Sequence, residues 1–251
     1  MWILVGIFLG VFGVILLYLL VLLVASLWVK PGKEYEKYSP FYGWLVVSAA
    51  AIALFLGRVR VKVSGLEKIP KKGRFLFVCN HLSNYDPVVV WRYLPGSRVA
   101  FLCKKEVFSI PVLGKLIQKC CFRVMDRENV RNALTAIGKS AELLERGEVS
   151  IGVYPEGRRN TEEGTALLPF HNGVFKIAER AKVPVVVATV KNTDRVHRNF
   201  PWHRTTVYFD ILEVLDEQWI GEVRTADISA RVQELMTESL LKKQRISFFS
   251  V

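Results

Sequence analysis

The stretch RFLFVCNHLSNYDPVVVWRYL, residues 74–94, changes periodicity halfway along. Its first part, Arg74 to Cys79, is a short apolar run of the kind that fills a buried strand, and its last part, from Pro87 to Leu94, is spaced as a helix. Between them lie Asn80, His81, Ser83 and Asp86. A strand feeding a helix is half of a βαβ unit, so the fold depends on whether the unit repeats.

It repeats downstream. The runs 98–103, 121–125, 149–154 and 183–190 read as mostly buried strands, RVRVKV just upstream alternates at period two, and TTVYFDILEV (205–214) adds a later strand. Helical spacing falls between them at 111–119, 129–146 and 171–181, and ADISARVQELMTESLLKKQR closes the chain as an amphipathic helix. The expected fold is α/β, a mixed, largely parallel sheet flanked by helices. In 129–146 the residues Val130, Leu134, Ile137, Ala141 and Leu144 share a face, Asp126 or Asn129 caps the start and Gly147 ends it. ALTAIGKS (133–140) imitates a phosphate-binding loop, but it lies inside this helix and has Ala133 where the first glycine belongs, which excludes nucleotide binding there.

Upstream, Met1 to Val29 hold no charged side chain. As a helix this run extends ~40 Å, more than a ~30 Å hydrocarbon core needs, and it lacks the basic start and short apolar core of a signal peptide. We read it as an uncleaved anchor. Gly6, Gly10 and Gly13 form a small-residue stripe ordinary in membrane helices. After the polar hinge KPGKEYEKYSP, residues 41–57 make a second uncharged run that reaches only ~25 Å. Two arrangements are open: a hairpin crossing the bilayer twice, or a helix pair whose second member lies partly in the interface. Arg58, Arg60 and Lys62 follow at once, which puts the large domain on the cytoplasmic side of the cell membrane. The division is a hydrophobic helix pair over 1–57 and a catalytic-sized domain over 58–251.

Charge follows the same division. The formal net charge is +12, and residues 1–57 contribute three lysines against two glutamates, so +11 falls on the large domain. Such a surplus suits phosphate groups, anionic lipid or an acidic protein; nucleic acid has the right sign, but no nucleic-acid module is present. Cys79, Cys103, Cys120 and Cys121 form no CxxC pair and are not spaced with His171, His197 or His203 as metal ligands, so we expect reduced thiols and no metal.

Taken alone, HxxxxD fits an ordinary loop in which Asp86 and Pro87 start a helix. It also fits a catalytic pair. The strand ending at Cys79 delivers His81 to the carboxyl edge of the sheet, where open α/β folds keep their sites, and Asp86 can take Nδ1 and leave Nε2 free to accept a proton. There is no GxSxG elbow, and Ser83 is too close in sequence to serve this histidine, so the attacking hydroxyl must come from the substrate. Three further strands end in cations: Lys104 and Lys105, Arg127 beside Asp126, and Arg158 and Arg159 after the turn at Pro155 and Gly157. Each pair alone is compatible with solvated surface charge; repeated at strand ends they suit a phosphate or a developing oxyanion.

These blocks together resemble the glycerolipid acyltransferases, and within them the bacterial 1-acylglycerol-3-phosphate acyltransferases, from about residue 60 to 215. NHLSNYD is similar to the NHxxxxD block, KKEVFSIPVLG to a lysine-rich block, FRVMDR to the second block, YPEGRR to FPEGTR and VPVVVA to VPIVPV. The resemblance implies His81 as general base with Asp86 orienting it, Arg127 binding the acceptor, Glu156, Gly157 and Arg159 recognising the acceptor phosphate, and Lys104 and Lys105 assisting. It implies transfer of a fatty acyl chain from acyl carrier protein or coenzyme A thioester, with no other cofactor, to the 2-hydroxyl of lysophosphatidic acid, giving phosphatidic acid. Arg158 stands where threonine is usual, Cys121 and Arg123 alter the second block, Val187 replaces a proline, and His171 stands where lysine is typical. Another acceptor, such as glycerol-3-phosphate, another lysophospholipid or a lyso-aminolipid, therefore stays open; a lipid hydrolase and a non-catalytic membrane adaptor are the other classes considered. RVHRNFPWHR (195–204), which mixes arginines with Phe200 and Trp202, reads either as a membrane-facing loop or as an ordinary connection.

Overall fold

The computed structural model describes residues 2–126, 129–162 and 165–248, with the backbone alone at 2–4, 7, 8, 11 and 242–248. In chain order the elements are α1 (Trp2–Leu27), α2 (Pro40–Leu56), β1 (Val59–Ser64), β2 (Leu76–Cys79), α3 (Tyr85–Tyr93), β3 (Val99–Cys103), α4 (Leu113–Gln118), β4 (Arg123–Val124), α5 (Val130–Glu145), β5 (Ser150–Val153), α6 (Lys176–Ala181), β6 (Val185–Lys191), α7 (Arg195–Asn199), β7 (Thr205–Leu215), α8 (Glu217–Glu222) and α9 (Thr225–Phe248).

The strands form one sheet in the order β1-β7-β6-β2-β5-β3-β4. Every neighbouring pair is parallel except β6 with β7. The expected mixed, largely parallel sheet is therefore present. β2 and β5 are buried at every position, as strands covered on both faces must be, while edge strand β1 alternates half-buried and exposed. That difference is the physical content of the two apolar patterns in the sequence. Gly152 of β5 is required for packing: a Cβ there would lie 2.5 Å from the Phe101 ring of β3.

Two local expectations are corrected and one open alternative is decided. Asp86 does not cap α3; the cap position is Asn84, without a side-chain bond, and Asp86 sits in the first turn with its carboxylate turned back toward the preceding loop. Of the proposed α5 face, Ile137, Ala141 and Leu144 are buried, but Val130 and Leu134, in the first turns, are exposed: the helix packs by its later turns. Asn129, not Asp126, caps that helix by accepting from the Asn132 N–H at 3.0 Å.

The helix pair is stitched to the large domain at both ends of α2. Before it, the Ser39 N–H donates to the Lys119 carbonyl (3.1 Å), the Tyr38 N–H donates to Glu148 Oε2 (3.2 Å), and the buried Arg123 guanidinium donates to the Tyr35 carbonyl (2.9 Å). Arg123, a departure from the family block, thus pins the hinge. After it, the chain enters β1 directly. Leu45, Val46, Ala50 and Leu54 are buried, and α2 packs on α3 and α4. Both ends of α2 are thus tied to the large domain. α1 runs antiparallel to α2, with Tyr18 hydroxyl bonded to Ser48 (2.9 Å) and the Tyr42 hydroxyl donating to the Ala25 carbonyl (2.9 Å). The uninterrupted described part of α1 is 12–27, and among the described residues no helix is long and apolar enough to cross a membrane.

Candidate active site

The carboxyl ends of β6, β2, β5, β3 and β4 line one edge of the sheet. After β2 the Asn80 amide grips the Val190 backbone of β6 twice, donating to its carbonyl (3.0 Å) and accepting from its N–H (2.8 Å). The next residue is thereby fixed. His81 Nδ1 lies 2.7 Å from Asp86 Oδ2. An ionised carboxylate only accepts, so Nδ1 carries the hydrogen and the Nε2 lone pair points away from Asp86.

Asp86 is fully buried and fully used. Oδ2 also accepts from the Leu82 N–H (2.7 Å) and the Ser83 N–H (2.8 Å), and Oδ1 accepts from the Thr193 hydroxyl (2.5 Å). A buried charge is stable only when its lone pairs are met in this way. Thr193, beyond the end of β6, is itself wholly buried; sequence reasoning passed over it because nothing in a lone threonine after a strand points to an aspartate 107 residues away.

The His81 backbone is clamped from both sides. Its N–H donates to Glu156 Oε1 (2.8 Å) and its carbonyl accepts from the Asn160 N–H (2.7 Å). The imidazole lies flat on Tyr154, with centroids 4.1 Å apart and planes at 12°, and Tyr154 lies on Phe101 at 5.1 Å and 6°. This stack is where Gly152 matters, since it lets Phe101 reach across β5. The Tyr154 hydroxyl is buried with no partner among the described residues, and burial pushes its pKa well above the ordinary value. The tyrosine stood in the quoted YPEGRR block, but its ring contact was not legible there.

The other expected site residues divide. Glu156 is turned inward: it is buried, its second oxygen accepts from the Leu168 N–H (2.9 Å), and burial raises its pKa against the pull of those two N–H groups. It straps the loop of 165–171 to the histidine backbone. Gly157 makes the turn, with φ of 79° and its N–H on the Tyr154 carbonyl (3.0 Å). Arg158 and Arg159 emerge exposed; Arg158 pairs with Glu162 (2.6 Å), whereas Arg159 has no partner among the described residues. Lys104 and Lys105 are exposed at the end of β3, two strands from β2 and so ~10 Å along the edge. Arg127 lies outside the described residues.

Among the described residues no protein nucleophile stands beside His81. Ser83 is buried with its Oγ accepting from the Tyr85 N–H (3.0 Å), and the Cys79 thiol is buried, its pKa pushed well up by desolvation and then by Asp86. Burial likewise raises Cys103 to about 12 and Cys121 to about 11. The arrangement can do one thing well: take a proton from a hydroxyl brought to Nε2, next to an exposed cationic rim.

The family model described as Acyltransferase matches residues 60–191, just over half of the chain, and this span contains His81, Asp86 and the strand-end cations Lys104, Lys105, Arg127, Arg158 and Arg159. A 1-acyl-sn-glycerol-3-phosphate acyltransferase of Saccharomyces cerevisiae is 27% identical over 190 residues, covering 74% of this chain and 61% of its own length. One of Haemophilus influenzae is 29% identical over 167 residues, covering 66% of this chain and 68% of its own length. The crystal structure of a 1-acyl-sn-glycerophosphate (LPA) acyltransferase from Thermotoga maritima superposes with a TM-score of 0.70 at 23% identity, over 91% of this chain and 89% of that one, which establishes the shared fold.

Proposed function

Because the chain belongs to the acyltransferase family, we propose that it moves a fatty acyl chain from a thioester of acyl carrier protein or coenzyme A to the 2-hydroxyl of 1-acylglycerol-3-phosphate, making phosphatidic acid for phospholipid synthesis. The observation that carries this reading is the 2.7 Å contact between His81 Nδ1 and the fully buried Asp86 carboxylate, with no nucleophilic side chain beside Nε2 among the described residues. The acceptor hydroxyl gives its proton to Nε2 as its oxygen attacks the thioester carbonyl. Collapse of the tetrahedral intermediate breaks the carbon–sulfur bond, and the departing thiolate takes the proton back from Nε2. General-base help of this kind is worth ~10² to 10⁴ in rate.

Arg159, Lys104, Lys105 and Arg127 are assigned to the phosphate, with Arg158 held off by Glu162. Glu156 and Gly157 act one step back, by holding the His81 loop and turning the arginines outward.

The membrane is the proposed working surface. Leu9, Phe12, Leu16, Leu20, Leu23 and Trp28 are among many exposed apolar side chains of α1 and its end, and Trp44, Phe55 and Leu56 continue the surface on α2. Soluble monomers rarely present so much. We assign α1 as the membrane-embedded member, α2 as interfacial, and the catalytic domain to the cytoplasmic face, as Arg58, Arg60 and Lys62 favour.

An acceptor panel tests the assignment: detergent-purified full chain, both thioester donors, and 1-acylglycerol-3-phosphate, glycerol-3-phosphate, lysophosphatidylethanolamine or a lyso-aminolipid. Preferred acylation of 1-acylglycerol-3-phosphate is expected; preferred acylation of another acceptor overturns the substrate, and fatty-acid release without acceptor overturns transfer.

A further inference from the structure

The loop between α7 and β7 holds two large aromatic rings in solvent although its backbone is tied down. Val196 is fully buried, the Phe200 N–H donates to the Val196 carbonyl (3.0 Å), the His203 N–H to the Asn199 carbonyl (2.7 Å), and Asn199 Nδ2 to Thr205 Oγ1 (2.9 Å). Nevertheless Phe200 is 52% and Trp202 80% exposed. Around them stand the exposed Arg195, Arg198 and Arg204, of which only Arg198 has an acidic partner among the described residues, Asp194 at 2.7 Å.

Its position is specific. Arg58, the residue after the α2 cap, donates from Nη1 to the Pro201 carbonyl (3.1 Å), and its own carbonyl accepts from the Thr205 N–H (3.2 Å). The last turn of α2, with Phe55 81% exposed, therefore abuts the loop. On the other side the loop reaches the dyad. The His197 ring meets Tyr85 edge-on at 5.3 Å, Tyr85 precedes Asp86, and α7 begins two residues after the Thr193 that bonds Asp86.

We propose that the 195–204 loop is a second membrane contact, seating Phe200 and Trp202 among headgroups of an anionic lipid surface with its arginines on the phosphates, beside the interfacial end of α2. This inference rests on the membrane reading of α1 and α2. Exposed aromatics among arginines match the composition of membrane interfaces, and each cation near an anionic surface is worth about a fivefold gain in partitioning. An acidic protein would use the arginines but gives no reason to hold Trp202 and Phe200 out in solvent. The consequence is functional: one rigid segment, from Thr193 to Arg204, joins the lipid surface to the dyad, so the acceptor hydroxyl meets His81 at the depth of its own headgroup.

The test uses the full chain carrying His203→Cys labelled with an environment-sensitive fluorophore. Cys79, Cys120 and Cys121 are buried, and burial raises the half-buried Cys103 to about 12, so the new thiol labels selectively. Glu222→Cys, at the end of α8 past the far end of the eleven-residue β7, is the control. In phosphatidylcholine–phosphatidylglycerol vesicles the label at 203 is expected to shift to the blue, to be quenched by brominated acyl chains and to lose iodide access several-fold, while the label at 222 stays open to iodide. Adding Phe200→Ser and Trp202→Ser should abolish the shift while the protein still floats with vesicles, and Arg195→Gln, Arg198→Gln and Arg204→Gln should abolish the preference for anionic over pure phosphatidylcholine vesicles. If the protein floats and 203 remains as open to iodide as 222, the loop is no membrane contact and the anchor reading survives. Shielding that appears only with added acyl carrier protein also overturns the proposal, and a chain that does not float overturns the anchor reading and this inference together.

Discussion

Exchanging Asp86 for asparagine separates what the carboxylate builds from what it does to His81. Asparagine keeps the shape: its single oxygen can face the His81 Nδ1, Leu82 and Ser83 donors that Oδ2 now receives, and its amide can face the Thr193 hydroxyl, which rotates to accept. Hydrogen bonds to a charged group contribute about 1.5–3 kcal/mol against about 0.5–1.5 for neutral ones, so three weakened bonds cost a few kcal/mol. Removing a fully buried charge returns part of that cost. The expected net stability change is therefore small, about 0–2 kcal/mol. Asp86→Ala instead leaves two backbone N–H groups and the imidazole without an acceptor, at about 1–3 kcal/mol each, and should lose clearly more. Catalysis should not follow stability. Without the negative charge the imidazolium formed during proton transfer is unsupported, and kcat in both variants should fall by ~10² to 10⁴. Chemical denaturation beside initial-rate kinetics reads the two effects. An asparagine variant that keeps more than about a tenth of parental kcat refutes the reasoning, since the lost charge is asked to cost at least ~10²; Asp86 would then be only a scaffold for its loop.

Other substitutions probe the rest of the site. Glu156→Gln preserves one acceptor but turns an amide donor onto the Leu168 or His81 N–H, so the melting midpoint should reflect a loss of about 1–3 kcal/mol, with kcat falling as the histidine loop loosens; an unchanged melt contradicts the strap. Tyr154→Phe keeps both ring stacks and deletes a buried hydroxyl that has no partner among the described residues, so activity should persist and stability hold or rise, whereas Tyr154→Ala should lose about 3–5 kcal/mol and much of kcat. Inactivity of the phenylalanine variant would give the hydroxyl a chemical role. Arg159→Gln should raise the acceptor KM by ~10- to 100-fold, the worth of one charge-assisted hydrogen bond, with a smaller change in kcat; an acceptor titration showing no KM change removes Arg159 from the phosphate site.

What the sequence discloses depends on the range of the interaction. The βα unit at 74–94 is legible because its periodicity changes within the segment, and the buried parallel strands because apolar runs of that length have few other uses. The pairing of β6 with β7 in the antiparallel sense, and the placing of β1 at the edge beside β7, leave no local mark. Periodicity likewise records that Val130 and Leu134 recur on a helical face, not that the first turns of that face stay exposed. At the site, HxxxxD names the pair that touches. Thr193 is invisible because it depends on β6 lying next to β2. The block YPEGRR marks Glu156 as important but not which way it faces; the structure turns it inward to the His81 and Leu168 backbone. For the helix pair, apolar length is the same in both arrangements, and the hinge bonds of Tyr35, Tyr38 and Ser39 to the large domain, which join residues 80 or more positions apart, leave no local mark.

The most direct test of the central claim is acyl transfer from a thioester to 1-acylglycerol-3-phosphate by the purified chain and by His81→Ala, with circular dichroism and thermal melting showing that both are folded. Phosphatidic acid formed by the parent and reduced by ~10² or more in the variant is the predicted result, because Nε2 is the only base this geometry brings to the acceptor hydroxyl among the described residues. A folded His81→Ala protein that turns over within a few-fold of the parent would contradict it.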